Sequence, residues 1–196
     1  FHPAVYRESD LISYWSFDEA NGSIVIDNGP TRNLAVLRGT ASLNSGKFGK
    51  ALSLGGAGDY AEIPKFRGIY SDGDFTLSTW VKLASLGIAS DADDAGIFCR
   101  SGGGNDSVLL WYDVNGASTG NRTFTFNVGN TGTNVNRLDG PDNIAQVGIW
   151  HHVASVMNGD ERFLYVEGKP VGRLAFILTL RCRRLLDRLH PATPIS

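Results

Sequence analysis

The sequence predicts an all-β protein, a sandwich or barrel of short strands, and three observations carry that expectation. Across residues 1–172 no apolar period of 3.6 persists for three turns, whereas about ten short apolar or alternating segments recur at regular spacing. Each segment is bounded by Gly, Pro, Asn or Asp, the residues that supply tight turns. Composition agrees: 24 glycines are present and Asp outnumbers Glu 15 to 5, a balance that favours turns over helix interiors. At 196 residues with 42% hydrophobic content, the chain fits one domain able to bury a core.

The elements follow in order. Leu11-Ile12-Ser13-Tyr14-Trp15-Ser16-Phe17 is aromatic and β-branched, reads as a strand, and runs into a turn at residues 18–22. Residues 23–27 form a short strand stopped by Asn28-Gly29-Pro30. Residues 34–37 and 51–54 are further short apolar runs, and Tyr60-Ala61-Glu62-Ile63 alternates until Pro64. Residues 75–82 alternate cleanly, and 96–100 and 108–114 read as strands. Phe124, Phe126 and Val128 share one face, with Thr123, Thr125 and Asn127 on the other. Residues 150–157 read as a buried strand, and Glu167-Gly168-Lys169-Pro170 as a hairpin turn between two more.

From residue 173 the pattern breaks. Residues 1–172 hold 13 Lys and Arg against 19 Asp and Glu, whereas residues 173–196 hold five Arg, one Asp and no Gly. Residues 174–180 read as a strand, 181–189 as a short amphipathic helix or as nothing stable, and Pro191 and Pro194 as a loose end. The expected organisation is therefore a β-domain over 1–172 and an atypical basic tail over 173–196. The chain opens on Phe1 and its one Met is Met157, as in a mature form or a piece of a longer product. The net charge of −2 leaves no electrostatic footprint for nucleic acid or an anionic membrane, and no apolar run approaches membrane-spanning length. Cys99 and Cys182 allow one internal disulfide or two free thiols.

Several segments, in order, resemble the laminin-G-like superfamily: residues 11–19, the Asp27-Asn28-Gly29 turn, Gly49-Lys50-Ala51-Leu52-Ser53-Leu54 with Asp59-Tyr60-Ala61-Glu62-Ile63-Pro64, Phe75-Thr76-Leu77-Ser78-Thr79-Trp80-Val81-Lys82, Trp150-His151-His152-Val153-Ala154, and residues 164–172. The resemblance spans roughly residues 11–172. It implies an antiparallel two-sheet jelly-roll sandwich of concanavalin-A-like type. It also implies a non-catalytic carbohydrate-binding or adhesion module of a secreted or cell-surface protein, with a glycan or glycoprotein as partner. Two other readings stand beside it: a structural or protein-interaction domain with no sugar site, and a glycoside hydrolase or lyase. Family members close with further strands of Gly-x-Ile-Asp-Glu-Val type that this sequence lacks, so residues 173–196 read as an out-of-frame or truncated end.

Sugar recognition needs an exposed ring with amides and carboxylates beside it. Trp111, Tyr112 and Asp113 near Asn105, Asp106 and Asn115 have that chemistry, as do Asp59 and Tyr60. Neighbours on a strand face opposite ways, so one of Trp111 and Tyr112 belongs to the core, together with Trp15, Trp80 and Trp150. Calcium wants several oxygen ligands in loops, which the turn at Asp18 and the side chain of Asp27 offer, and the resemblance implies a structural calcium there. A second acidic loop, Asp91-Ala92-Asp93-Asp94-Ala95-Gly96, lacks the later acceptors of a calcium loop. His151 and His152 point to opposite faces and cannot chelate one ion together. No Gly-x-Ser-x-Gly occurs. No Glu-x-Asp-x-x-Glu stretch sets paired carboxylates on one strand; Asp72 with Asp74 and Asp91 with Asp93 fall in turns.

Overall fold

The computed structural model describes residues 10–56, 58–66, 68–86, 94–101, 107–114, 122–129 and 137–175. Among these residues the regular structure is all strand, with no α-helix, as the sequence predicts. The tail beyond residue 175, the acidic loop at 91–93, Asn105, Asp106, Asn115 and Cys182 lie outside the described residues. The chain divides into two compact units, Phe1–Ile69 and Tyr70–Ser196.

The first unit holds a sheet of β1 (Ala20–Asn21), β2 (Ile24–Val25), β3 (Ala35–Arg38) and β6 (Tyr60–Glu62), in that order, and a separate hairpin of β4 (Ser42–Ser45) and β5 (Lys50–Ser53). Every pairing is antiparallel. The expected strand at residues 11–17 is absent. That segment is tied instead to a turn cluster, with Asn28 N–H donating to Tyr14 O at 2.8 Å and Tyr14 N–H donating to the Asp27 carboxylate at 2.8 Å. A side-chain acceptor takes the place of a strand ladder because the partner segment turns at Gly29. There an added Cβ would lie 2.7 Å from Ser13 Cα, so only Gly fits.

The second unit is a sandwich of two antiparallel four-stranded sheets. One runs β14 (Lys169–Ala175), β13 (Glu161–Val166), β12 (Trp150–Asn158), β7 (Phe75–Lys82). The other runs β11 (Arg137–Asp139), β10 (Thr123–Val128), β9 (Ser107–Asp113), β8 (Ala95–Ser101). Alternation sends Val108, Leu110, Tyr112, Phe124, Phe126, Val128 and Leu138 inward from the second sheet, to meet Phe75, Val153, Met157, Leu164 and Val166. Rings join the layers: Phe75 meets Phe126 edge-on at 6.2 Å and Phe124 meets His151 at 5.7 Å. The turn between β13 and β14 is Glu167-Gly168, both at positive φ (52° and 71°), the two-residue geometry that matches strand twist.

Candidate functional site

With the Phe row of β10 turned into the core, its other face carries Thr123, Thr125 and Asn127. These three are as buried as the phenylalanines, although they lie on the side away from the sandwich core. Their neighbours explain the composition. Cross-strand pairing sets Thr125 between Trp111 of β9 and Asp139 of β11, and Asn127 between Leu109 and Arg137.

Arg137 organises this face. Its Nε donates to Asp139 Oδ1 at 2.7 Å, and its Nη2 pairs with Asp113 Oδ2. Asp113 belongs to β9 and Arg137 to β11, so the side chain crosses the middle strand β10 to reach it. On the way the guanidinium lies over the Trp111 ring, 5.4 Å from its centroid. Thr125 Oγ1 also donates to Asp139 Oδ1, at 2.8 Å. Desolvation works against the charge on Arg137, but the hydrogen bond and charge of Asp139 and the charge of Asp113 outweigh it, so its pKa is raised. The guanidinium therefore stays charged between its two carboxylates. Asn127, 5% exposed, carries a buried Oδ1 with no hydrogen-bond donor.

Of the paired aromatic residues, Tyr112 is the core member at 2% exposure, its hydroxyl donating to Leu86 O at 3.1 Å and its ring against Phe124 at 6.4 Å. Burial raises its pKa. Trp111 is half-buried on the opposite face. Sequence reasoning missed Arg137 and Asp139 because β11 is only three residues long, too short for alternation to register. The polar row Thr123-Thr125-Asn127 was the available signal: a strand that is polar on one face between apolar neighbours needs polar partners to satisfy it.

In the first unit the singled-out aspartates brace turns. Asp27 is fully buried, and four donors converge on it: Tyr14 N–H (2.8 Å) and Gly29 N–H (2.7 Å) on Oδ1, Asn33 N–H (2.7 Å) and Thr31 Oγ1 (3.1 Å) on Oδ2. Burial alone pushes its carboxyl up, but those backbone hydrogen bonds outweigh it and hold the pKa below the usual 3.8. Asp18 Oδ1 accepts Lys50 N–H at 2.7 Å and sits against Gly49, whose φ of 53° suits glycine. Asp59 accepts Thr40 N–H (2.6 Å), Thr40 Oγ1 and Gly55 N–H (2.7 Å), which lowers its pKa. Tyr60 beside it is 51% exposed on β6. The lone pairs of Asp27 are thus spent on protein donors, and among the described residues no three His, Cys, Asp or Glu converge. Asp27 does not fit a calcium ligand. Two other acidic residues brace in the same way: Asp94 accepts Val114 N–H at 3.0 Å and Asp74 accepts Gly159 N–H at 2.6 Å.

The histidines do point to opposite faces. His151 is buried, with Gln146 N–H donating to Nε2 at 3.1 Å and Nδ1 lying 3.3 Å from Glu167. His152 faces outward, sharing a 2.9 Å hydrogen bond with Ser78 and packing at 5.2 Å on Trp80. Trp80 is 37% exposed and not core: Phe75 faces in, so the alternation of β7 turns Trp80 out. Trp15 and Trp150 are half-buried, Trp15 donating its indole N–H to Asn33 O at 2.8 Å and Trp150 carrying Lys82 over its ring.

A family model described as the concanavalin A-like lectin/glucanases superfamily matches residues 54–179. Among solved structures, an S-layer domain-containing protein (residues 221–444) from Clostridium thermocellum is similar at 24% identity, with 94% of this chain and 81% of that chain covered and a TM-score of 0.49. No curated protein matches.

Proposed function

Because the chain belongs to the concanavalin A-like lectin/glucanases superfamily, we propose that it is a non-catalytic carbohydrate-binding or adhesion module of a secreted or surface protein, and that the Trp111 face of β9, β10 and β11 holds the sugar. One observation carries the reading: a half-buried indole stands beside a row of carboxylates, hydroxyl, guanidinium and amide on a single sheet face. The indole supplies an apolar surface for the C–H face of a pyranose, and the partly exposed Arg137 and Asp139 beside it supply polar partners for its hydroxyls, with Asp113, Thr123, Thr125 and Asn127 buried beneath them as support. Both sets of groups stand on paired strands, so the site is preorganised.

The paired carboxylates Asp113 and Asp139 favour one second reading, glycoside hydrolysis, since they share a face and a common partner. The guanidinium of Arg137 bonds to both and takes up the position between them. A glycosidic oxygen and a water or nucleophile would need that position, so the arrangement suits holding better than cleaving. This reading needs no calcium, and the Asp27 carboxylate is already used by protein donors in its own turn.

The test is binding of the whole chain to a glycan array, repeated with Trp111→Ala. Retention on some glycans and its loss in the variant supports a sugar site at this face. No retention on any glycan supports the structural or protein-interaction domain, and release of reducing ends from a bound glycan supports the hydrolase.

A further inference from the structure

We propose that Asn21 is a site of spontaneous covalent modification: its side-chain amide converts to aspartate and isoaspartate through attack by the Gly22 amide nitrogen, while the equivalent Asn158 is held unreactive by Asp74. The sequence holds four Asn-Gly pairs, at Asn21, Asn28, Asn115 and Asn158. Asparagine is thermolabile, and a following glycine, with no Cβ to shield its nitrogen, is the most reactive neighbour. Asn115 and Gly116 lie outside the described residues. The other three asparagines are all exposed, so access to water does not rank them. The glycine nitrogen does.

Asn21 and Asn158 form a matched pair. Each ends a strand and pairs with the residue across a two-residue turn, Asn21 with Ile24 and Asn158 with Glu161. Each turn opens on a glycine at positive φ, 62° at Gly22 and 57° at Gly159, and around each the space for a side chain is empty. The glycine nitrogens differ. Gly159 N–H donates to Asp74 Oδ1 at 2.6 Å, whereas among the described residues Gly22 N–H makes no hydrogen bond. At Asn28 the nitrogen is tied as at Asn158, with Gly29 N–H donating to Asp27 Oδ1 at 2.7 Å.

The reaction needs that nitrogen free. Its proton passes to a solvent base, the nitrogen bonds to Asn21 Cγ, the Cγ–Nδ2 bond breaks, and Nδ2 leaves as ammonia. The succinimide ring adds water at either carbonyl and opens to aspartate or isoaspartate. At Gly159 and Gly29 the deprotonated nitrogen would face a carboxylate of its own sign, and attack would break a charge-assisted hydrogen bond. A carboxylate is far too weak a base to take the amide proton itself. Conversion at Asn21 adds one negative charge to the formal net charge of −2. Isoaspartate also routes the main chain through Cβ and lengthens the hairpin. That disturbs the pairing behind it, where Ser23 O accepts Leu37 N–H at 2.7 Å and Val25 is fully buried.

The experiment ages the full chain at neutral pH, folded and in urea. Conversion at Asn21, Asn28 and Asn158 is mapped by peptide mass spectrometry, with isoaspartate counted by enzymatic methylation. In urea the three convert at similar rates, because only local sequence acts there. In the folded chain Asn21 converts at least about tenfold faster than Asn158 or Asn28. Asp74→Ala, on protein whose circular dichroism matches the parent, raises the Asn158 rate about tenfold and leaves Asn21 unchanged. Folded-state conversion of Asn158 or Asn28 as fast as that of Asn21, protection of all three, or an Asn158 rate unmoved by Asp74→Ala overturns the proposal. The parental rates decide the matter even where the Asp74 variant does not fold.

Discussion

Replacing Asp27 with Ala separates the brace assigned to it here from the metal ligand that its sequence context suggests. The side chain is fully buried and receives three backbone N–H groups, from Tyr14, Gly29 and Asn33, all at 2.7–2.8 Å. Deleting it leaves three buried or part-buried donors without their acceptor, each costing about 1–3 kcal/mol before relaxation. Sharing and partial hydration reduce the sum, and a net loss of about 3–5 kcal/mol follows. Asp27→Asn keeps one acceptor oxygen but turns an amide N–H₂ toward two of the donors, at a cost of about 2 kcal/mol. The readout is local: amide hydrogen exchange at Tyr14, Gly29 and Asn33, alongside urea unfolding. At 1.4 kcal/mol per decade, protection in the Ala variant falls by two to three orders of magnitude. The same carboxylate sets an acid limit. Its folded pKa lies below the unfolded value of about 3.8, so its contribution is complete above that value and is lost as the pH falls through the folded one. An Ala variant within about 0.5 kcal/mol of the parent, with those amides still protected, refutes the brace.

Phe126→Ala empties a site that is fully buried against Phe75 and lowers stability by about 3–5 kcal/mol in urea unfolding. Gly49→Ala puts a methyl group into the Asp18 carboxylate at a positive φ, so the bond to Lys50 N–H breaks; faster exchange of the Lys50 amide reads this out. Calcium or EDTA moves the unfolding midpoint by no more than about 1 °C, because a ligand stabilises only a state that binds it; a rise of several degrees contradicts the assignment of Asp27.

The second unit was legible wherever alternation ran long enough. Residues 75–82, 108–113, 123–128 and 150–158 form strands close to their expected bounds, and the Glu167-Gly168 turn falls where its residues place it. Short or polar elements were not legible. β4, Ser42–Ser45, has one apolar residue, and β11 has three residues in all. The segment at residues 11–17 has strand composition but no strand partner, because Asp27 and Gly29 turn the neighbouring chain away. Burial of Trp80 was expected from its size, although the parity set by Phe75 already placed it outside. The aspartates show the main limit. Asp18, Asp27 and Asp59 stand out as ligand-like in sequence, yet they accept backbone N–H groups from Lys50, Tyr14 and Thr40, which lie 32, 13 and 19 positions away, and such pairings leave no local mark. Trp111 with Tyr112 was readable as one ring in and one ring out, but which was which depended on the parity of β9 against β10.

The proposed function turns on glycan binding at the Trp111 face. Its most direct measurement is the dissociation constant of a neutral oligosaccharide for the parent chain and for Trp111→Ala, taken by calorimetry with the fold of both verified by circular dichroism. Measurable binding by the parent and a loss of about tenfold in the variant are expected, as removal of a stacking ring entails. Equal affinity in the two proteins contradicts it and moves the site elsewhere.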